Sequence, residues 1–363
     1  MLHSLDIKNY RNLESLEIHS LGRVNLITGK NNTGKSTLLE AVAIHTMGGD
    51  FPLIEQLLED RGEPFKYGEA QSVETKIKVL SSLFHNRNIG FDEVNAILIG
   101  GGQDSKDSTS LRLVKYVEDI ITEQDGSITR KKRLLQHGTD ATLEDLQIGF
   151  EAKTGSQQRY ILPLAAKTGI YFFRFQNNIQ IINTKSTGKD TNDSLFDNIA
   201  LTDKEQSVIE ALKIIEPLTE RIAFVEDATK KRNAVIKLSN SSTTLPLQSM
   251  GDGINRILTI ILAMVNADKG YLLIDEFENG LHYSVQEKLW EIIFKLSEDL
   301  NIQVFATTHS NDCIQGFESV LNKQSDLSAG KLIRLDNKNG VIKQVEFDAQ
   351  ELKIAANQNI ELR

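Results

Sequence analysis

Residues 29–36 read Gly-Lys-Asn-Asn-Thr-Gly-Lys-Ser, which is the spacing G-x-x-x-x-G-K-S of a phosphate-binding P-loop. The apolar run Val24 to Thr28 precedes this stretch and is typical of a buried strand. A helical pattern from Thr37 to Ile44 follows it. A strand–loop–helix context distinguishes a P-loop from a glycine turn that happens to match. We therefore expect this loop to bind the phosphates of a nucleotide.

The residue types in the loop explain how it would hold phosphates. Glycines let the backbone approach the ligand, and N–H groups at the helix N-terminus face its negative charge. Lys35 is expected to reach the β- and γ-phosphates and to act in catalysis, and the Ser36 hydroxyl to ligate Mg²⁺. The predicted nucleotide-binding residues here are Gly29, Asn31, Asn32, Thr33, Gly34, Lys35, Ser36 and Thr37.

Composition excludes several classes of protein. The 363 residues carry a net charge of -9, which does not suit general coating of nucleic acid. The basic tetrad at 130–133 could still touch DNA or RNA, or it could be a solvated hairpin. A single cysteine, Cys313, fits a reducing compartment. Without a membrane-length apolar run or a signal-peptide pattern, the chain is expected to be soluble and cytoplasmic.

A second acidic element completes the expected nucleotide site. The apolar strand Tyr271 to Ile274 ends in Asp275 and Glu276, which is the form of a Walker B element. Asp275 is expected to hold Mg²⁺, directly or through water. Glu276 is the candidate that orients and deprotonates the attacking water.

Two further stretches carry candidate residues. Ser249-Met250-Gly251-Asp252-Gly253 precedes an apolar helix and predicts either a second anion site or a simple N-cap. His309 follows the strand-like run Val304 to Thr308. A histidine there could contact a γ-phosphate or could be a surface turn residue.

The first strands of the chain contain another candidate. Leu2 to Ile7 and Leu13 to Ile18 alternate apolar and polar residues, which predicts an antiparallel pair. The turn Asn9 to Asn12 lies between them. Arg11 could reach the nucleotide from this turn or could be a solvated turn arginine.

Two longer regions differ in their hydrophobic patterns. Short alternating runs between Leu111 and Leu164 predict a β-meander. Leu201 to Asp227 has a helical pattern that Pro217 should kink or split.

The order of these motifs resembles the ABC-type ATPase head of RecF, SMC proteins and the OLD family, and most of all the bacterial AAA-type branch related to OLD proteins. Ile7 to Asn12 resembles the opening N-[FY]-[RK] turn of that group. Asp275 to His282 resembles its D-E-x-E-x-G-L-H run, and Thr307 to Ser310 its switch. The resemblance covers residues 1–48 and 245–315, and more loosely the strand near Ile170 and the final hairpin.

The resemblance implies an α/β fold, with a mixed central sheet, flanking helices and a P-loop NTPase core. Residues 1–48 and 170–363 would form a discontinuous head, whose helical lobe spans about 194–265. Residues 49–169 would form an inserted α+β lobe that contains the meander.

The resemblance also implies that ATP lies between two copies of the chain. Ser249, Gly251 and Gly253 would contact the γ-phosphate bound by the second copy, Asn279 to His282 would line the seam, and His309 would be the switch histidine. The signature reads Ser-Met-Gly-Asp-Gly where transporters have L-S-G-G-Q. The two candidates for the Q-loop of this group are Gln176 and the region near Phe84 to Asn86.

These observations predict an Mg²⁺-dependent ATPase that dimerises, or forms a larger oligomer, around ATP. OLD nucleases carry a Toprim domain after the ATPase, but only about fifty residues follow His309 here. A nuclease or toxin-like effector would then be a separate partner, with anti-phage defence as the setting. The alternative is a RecF-like DNA-binding clamp in DNA maintenance.

Overall fold

The computed structural model describes most of the chain. The described residues are 1–66, 71–101, 108–122, 128–135, 146–155, 158–165, 178–183, 192–226, 230, 232–358 and 360–362. The predicted strand at 170–173, Gln176 and the boundary at residues 169–170 lie outside them.

The central sheet has six strands in the order β16-β15-β3-β14-β13-β9. Its five inner and edge strands from β15 to β9 run parallel, and only β16 is antiparallel to its neighbour. The strands are β3 (Val24–Thr28), β9 (Ile179–Ile182), β13 (Tyr271–Ile274), β14 (Gln303–Thr307), β15 (Gly330–Lys338) and β16 (Val341–Phe347). This is the mixed sheet that the sequence predicts.

A second sheet packs beside the first in the order β2-β1-β4-β5-β7-β8, and β6 pairs with the far part of β5. Its strands are β1 (Leu5–Tyr10), β2 (Leu13–Ile18), β4 (Ile97–Gly100), β5 (Ser108–Thr122), β6 (Ile128–Leu134), β7 (Gln147–Thr154) and β8 (Gln158–Pro163). β5 and β6 form the hairpin that a meander predicts. β7, however, pairs with the other edge of β5 and not with β6.

A small third sheet has the order β10-β11-β12, and its strands are β10 (Thr219–Glu226), β11 (Arg232–Leu238) and β12 (Thr244–Pro246). The predicted helix over 201–227 is therefore half wrong. A helix ends at Ile215, before Pro217, and Ile222 and Val225 belong to a strand that pairs with β11. The lobe predicted as helical thus contains a sheet.

The helices are α1 (Lys35–Thr46), α2 (Phe51–Asp60), α3 (Val73–Leu80), α4 (Asn192–Asp197), α5 (Asp203–Ile215), α6 (Asp252–Asn266), α7 (Tyr283–Asp299), α8 (Asn311–Leu321) and α9 (Ala349–Asn357). Short 3₁₀ turns follow α3 and precede α6.

Both faces of the central sheet are buried, which explains why its inner strands are apolar throughout. Along β3, Leu26 faces the core formed with α6, α7 and α8, whereas Ile27 faces α1 and the second sheet. Cys313 is buried in the first of these cores, and burial raises the pKa of its thiol. α1 is thus held between the two sheets, with its N-terminus at the strand ends.

The segment at 49–169 does not pack separately from the start of the chain. Its strand β4 pairs with β1, and its apolar side chains share one core with β1, β2 and α1. The division into a head (1–48 and 170–363) and an inserted lobe (49–169) stays a prediction. Among the residues that the structure describes, no helix combines the length and apolarity needed to cross a bilayer.

Candidate nucleotide site

Three neighbouring parallel strands bring the predicted motifs to one edge of the central sheet. The P-loop follows β3, Asp275 and Glu276 follow β13, and Thr308 and His309 follow β14. β14 lies between β3 and β13. Since ligands of such sheets bind outside the carboxyl ends of the strands, this edge is the expected site.

Two glycines are required by the path of the loop. Gly29 has a φ of 139°, and a Cβ there would lie 2.3 Å from the carbonyl oxygen of Leu335. Gly34 has a φ of 91° and lies directly before α1. No side chain caps α1, so its first N–H groups remain available to an anion.

Lys35 is enclosed by the loop that it follows. Its Nζ donates hydrogen bonds to the carbonyl oxygens of Gly29 (2.7 Å) and Lys30 (2.8 Å). Burial lowers the pKa of Lys35 to about 8, although the carboxylates of Asp275, Glu278 and Glu276 act in the opposite direction. An ammonium held this way can exchange carbonyl contacts for phosphate oxygens.

Ser36 and Asp275 lie together at the start of α1. The Ser36 hydroxyl is 3.1 and 3.2 Å from the two carboxylate oxygens of Asp275. A hydroxyl beside one carboxylate suits Mg²⁺, which usually takes one or two protein oxygens and completes its shell with phosphates and water. In the described part of the chain no group of three or more His, Cys, Asp or Glu side chains could hold a metal alone.

Thr307 organises the two acids. Its hydroxyl donates to Asp275 Oδ1 (2.7 Å) and accepts from the main-chain N–H of Glu276 (2.9 Å). Glu276 has a φ of 49°, a left-handed conformation that is uncommon for this residue type. From the other side, Arg256 Nη2 donates to the carbonyl oxygens of Asp275 and Glu276.

Glu278 holds the segment that carries His309, the predicted switch histidine. One carboxylate oxygen accepts from the hydroxyl of Thr308 (2.8 Å), and the other accepts from the main-chain N–H of His309 (2.7 Å). His309 lines the cleft together with Asp275 and Glu276. The structure therefore places His309 beside the predicted catalytic acids and not on a separate surface turn.

The cleft above the P-loop has a volume of about 670 Å³, which is within the range of small-molecule sites. Arg11 lines it, but its guanidinium is already engaged. It forms an ion pair with Glu40 (2.7 Å) and donates to the hydroxyl of Tyr10 (3.2 Å) and the carbonyl of Leu57 (3.3 Å). Arg11 is thus not a solvated turn arginine, and direct contact with the nucleotide stays a prediction.

Part of the cleft is lined by residues between 82 and 87. His85 Nδ1 lies 2.9 Å from the carbonyl oxygen of Arg11, and Asn86 and Arg87 have φ values of 52° and 56°. Ser82, Phe84 and these three residues line the cleft, as does Arg61. Of the two Q-loop candidates, the region near Phe84 to Asn86 therefore lies at the site, and Gln176 lies outside the described residues.

The predicted signature residues lie elsewhere. Ser249 and Gly251 are exposed and do not line the cleft. A Cβ on Gly251 would meet nothing within 4 Å, and one on Gly253 would lie 3.4 Å from the carbonyl oxygen of Gly280. This loop and the Asn279–His282 stretch therefore form one surface, away from the chain's own P-loop.

The basic tetrad at 130–133 is largely used within its own sheet. Arg133 pairs with Asp119 (2.8 Å), and Lys132 donates to the carbonyl oxygen of Ile161 (3.0 Å). Burial lowers the pKa of Lys132. Lys131 and Arg133 are exposed, and Lys132 is half-buried, so two of these cations already have partners within the sheet.

Two protein-family models match this chain. The family model described as "AAA domain, putative AbiEii toxin, Type IV TA system" matches residues 131–312, half of the chain. The chain belongs to the AAA ATPase family. A second model, "AAA ATPase domain", matches residues 1–79 and so includes the P-loop. Together the two matches include the strands that carry the P-loop, Asp275 and His309.

Relatives of this AAA protein agree with the assignment. An "ATP/GTP phosphatase" of Helicobacter pylori is 23% identical in an alignment 359 positions long, which covers 92% of this chain and 92% of that protein. The "DNA replication and repair protein RecF" of Rickettsia prowazekii is 31% identical in an alignment 148 positions long, which covers 37% of this chain and 37% of that protein. A crystal structure of an SmcHead bound to the C-winged helix domain of ScpA has a TM-score of 0.50 at 12% identity, with 96% of this chain and 97% of that chain covered.

These findings confirm the predicted ABC-type ATPase fold of the RecF/SMC-like group and the ATPase activity. The relationship to OLD proteins stays a prediction. Sequence reasoning missed the roles of Thr307, Glu278 and Arg256 around the acids. Glu278 stands in the D-E-x-E run, which was a usable signal, but nothing in the local sequence places Arg256 beneath Asp275.

Proposed function

We propose that this ATPase binds Mg-ATP with residues 29–37 and hydrolyses it with Glu276 as the general base. Lys35 would contact the β- and γ-phosphates, and Ser36 and Asp275 would hold Mg²⁺. The bound Mg²⁺ would bridge phosphate oxygens and reduce their negative charge. The juxtaposition of the P-loop with Asp275 and Glu276 at one sheet edge carries this proposal. The name of the Helicobacter pylori relative supports including GTP as a second substrate.

The position of the predicted signature loop supports a dimer. Ser249, Gly251 and Gly253 lie at the uncapped N-terminus of α6, which is an anion-binding arrangement. Ser249 and Gly251 are exposed, and none of the three residues lines the chain's own cleft, so a second copy is the natural source of the phosphate they would contact. We infer a head-to-tail dimer in which each ATP lies between one P-loop and the partner's signature loop.

The output of the cycle would be conformational. ATP would hold the two copies together, hydrolysis would release them, and the change would recruit or release a separate effector, with anti-phage defence as the setting. Description of the matching family as a toxin–antitoxin AAA domain supports an effector role of this kind. A cytoplasmic location follows from the same proposal.

A pull-down from the native host tests the effector proposal. Tagged Glu276→Gln protein would be captured with Mg-ATP, because this change should prevent hydrolysis and keep the ATP-bound state. Mass spectrometry would then identify associated proteins, with the Lys35→Ala variant as the nucleotide-free control. We expect a nuclease or toxin-like protein in the first sample and not in the second. Recovery of the chain with nucleic acid alone would contradict an effector.

The second candidate is a RecF-like DNA-binding clamp. The similarity to the Rickettsia prowazekii RecF protein favours it. Internal use of Arg133 and Lys132 weakens the proposed contact through the basic tetrad. Stimulation of ATP turnover by double-stranded DNA would favour the clamp over an effector-controlling ATPase.

A further inference from the structure

Arg256 connects the signature helix to the two predicted catalytic acids. It lies in the first part of α6, and its Nη2 is 3.3 Å from the carbonyl oxygen of Asp275 and 3.4 Å from that of Glu276. α6 begins at the exposed loop that contains Ser249 and Gly251. One side chain thus reaches from the helix behind the predicted dimer surface to the backbone of the hydrolytic site.

The guanidinium of Arg256 is only partly satisfied by its surroundings in the described part of the chain. Within the described residues its Nε has no hydrogen-bond partner, and main-chain oxygens rather than carboxylates accept from Nη2. Burial lowers the pKa of Arg256, and the negative charges of Asp275 and Glu276 oppose that shift. Burying a cation without a full set of acceptors costs free energy, so an apolar side chain would serve packing alone better.

Contact with carbonyl oxygens leaves both carboxylates free for chemistry. Asp275 keeps its oxygens for Ser36 and Thr307, and Glu276 keeps its carboxylate at the cleft. The Glu276 backbone, with its φ of 49°, is then held from two sides. Thr307 accepts from its N–H and Arg256 donates to its carbonyl oxygen. A sparsely populated backbone conformation persists only when its surroundings fix it.

We propose that Arg256 is a positioning residue, which fixes the backbone of Glu276 so that its carboxylate faces the attacking water and which makes this orientation depend on the position of α6. Because Arg256 acts through Glu276, the inference rests on the proposed role of Glu276. Substitution should lower the rate of the chemical step and leave ATP binding unchanged, since the P-loop makes the phosphate contacts.

Steady-state turnover of Arg256→Met and Arg256→Lys tests the proposal. Methionine has a similar length and no charge, so the fold should persist, which thermal unfolding would verify. We expect kcat of Arg256→Met to fall about 10- to 100-fold, with KM for ATP within about twofold of wild type. Lysine should restore part of the rate. Arg221→Met, which changes an exposed arginine on β10, is the matched control and should behave as wild type.

A double substitution separates positioning from general destabilisation. If Arg256 acts through Glu276, Arg256→Met should cause no further loss of single-turnover phosphate release in the Glu276→Gln background. If the losses of phosphate-release rate multiply in the double variant, the proposal is overturned. An unchanged kcat in Arg256→Met, or a change in KM alone, would also overturn it. If Glu276→Gln itself turns over at the wild-type rate, the role of Glu276 fails and the inference fails with it. If Glu276→Gln is inactive but Arg256→Met is normal, only the inference fails.

Discussion

Lys35 shows how the residues of this site balance burial against charge. Its side chain is buried beneath the P-loop, and its ammonium donates hydrogen bonds to the carbonyl oxygens of Gly29 and Lys30. Desolvation therefore brings its pKa down to about 8, close to neutral pH. A bound triphosphate would favour the charged form, so nucleotide binding should raise this pKa and take up protons.

The sign of this linkage gives the first prediction. Below pH 8 Lys35 is charged with or without ATP, so affinity should be highest and constant there. Above pH 8 the free protein loses the proton and the complex keeps it, so affinity should fall by up to about tenfold per pH unit. Titration of a fluorescent ATP analogue between pH 7.5 and 10 measures this. Constant affinity over the whole range would contradict the role of Lys35.

Lys35→Arg provides the control for this titration. Arginine keeps its charge over the whole range, so the variant should bind ATP with no fall above pH 8. A fall of the same size in both proteins would assign the titration to another group.

Thr307 leads to a second prediction. Thr307→Val keeps the shape of the side chain but removes the hydroxyl that joins Asp275 to the N–H of Glu276. A buried N–H without its acceptor should lower the free energy of unfolding by about 1–3 kcal/mol, and ATP turnover should fall as well. Urea unfolding and phosphate release measure the two effects.

Thr259→Val is the matched comparison for Thr307. Thr259 is also buried, but its hydroxyl donates only to Asn255 O, one turn earlier in α6. That oxygen can keep its helical hydrogen bond, so the variant should lose less stability and retain turnover. Equal effects from both valines would mean that Thr307 has no special position at the site.

The P-loop residues could be predicted from the sequence because their contacts are local. Gly29, Thr33 and Lys35 all contact residues within the loop itself. The positions of Arg256 and Thr307 could not be predicted, because their hydrogen-bond partners Asp275 and Glu276 lie far from them in the sequence. Arg11 illustrates the same limit, because its buried partner Glu40 lies on a helix whose orientation the turn does not reveal.

Asp50 gives a prediction that concerns a whole helix. It is the N-cap of α2, and its carboxylate accepts from the N–H of Leu53 (3.3 Å). Burial raises its pKa to about 6, and its Oδ1 has no hydrogen-bond partner among the described residues. The folded protein therefore binds a proton more tightly than the unfolded chain, so the charged form of Asp50 costs stability.

Asp50→Asn should remove that cost, because asparagine is an equally good N-cap. Since the folded pKa is raised, wild-type stability should decline as the pH rises from about 4 through 6, relative to the variant. The two proteins should be equally stable near pH 4, and the variant should be more stable by about 1–3 kcal/mol above pH 7. Urea unfolding at both pH values measures the difference. A less stable variant at pH 8 would show that the carboxylate has a partner worth more than its burial costs.

At the level of helices and strands, sequence patterns identified elements whose periodicity was continuous. β2 and β3 begin and end where the alternating and apolar runs do. The error at Thr219–Glu226 arose because Ile222 and Val225 fit the spacing of a helix as well as that of a strand. Pairing with β11, which the local sequence does not contain, decided between them.

At the scale of the whole molecule, the sequence did not predict how the two large sheets are arranged. The central sheet was predicted through the resemblance that the order of the motifs carries. Pairing of β4 with β1 joins residues far apart in the chain, and no local pattern records it. The segment expected as a separate lobe therefore completes the sheet that covers α1.

The proposed dimer gives a prediction for the whole molecule. Glu276→Gln with Mg-ATP should have twice the mass of one chain by light scattering, and without nucleotide it should be lighter. Ser249→Arg places a bulky cation on the exposed loop and should prevent the ATP-dependent change without affecting the chain's own cleft. An unchanged mass in the presence of ATP would contradict a nucleotide-dependent interface.

The measurement that tests the central claim most directly compares phosphate release with ATP binding in wild type and Glu276→Gln. The claim is that the P-loop, Asp275 and Glu276 form one hydrolytic site. Wild type should release phosphate, whereas Glu276→Gln should bind ATP with unchanged affinity and turn it over about 10²- to 10⁴-fold more slowly, as expected for loss of a general base. Turnover by Glu276→Gln at the wild-type rate would contradict the claim.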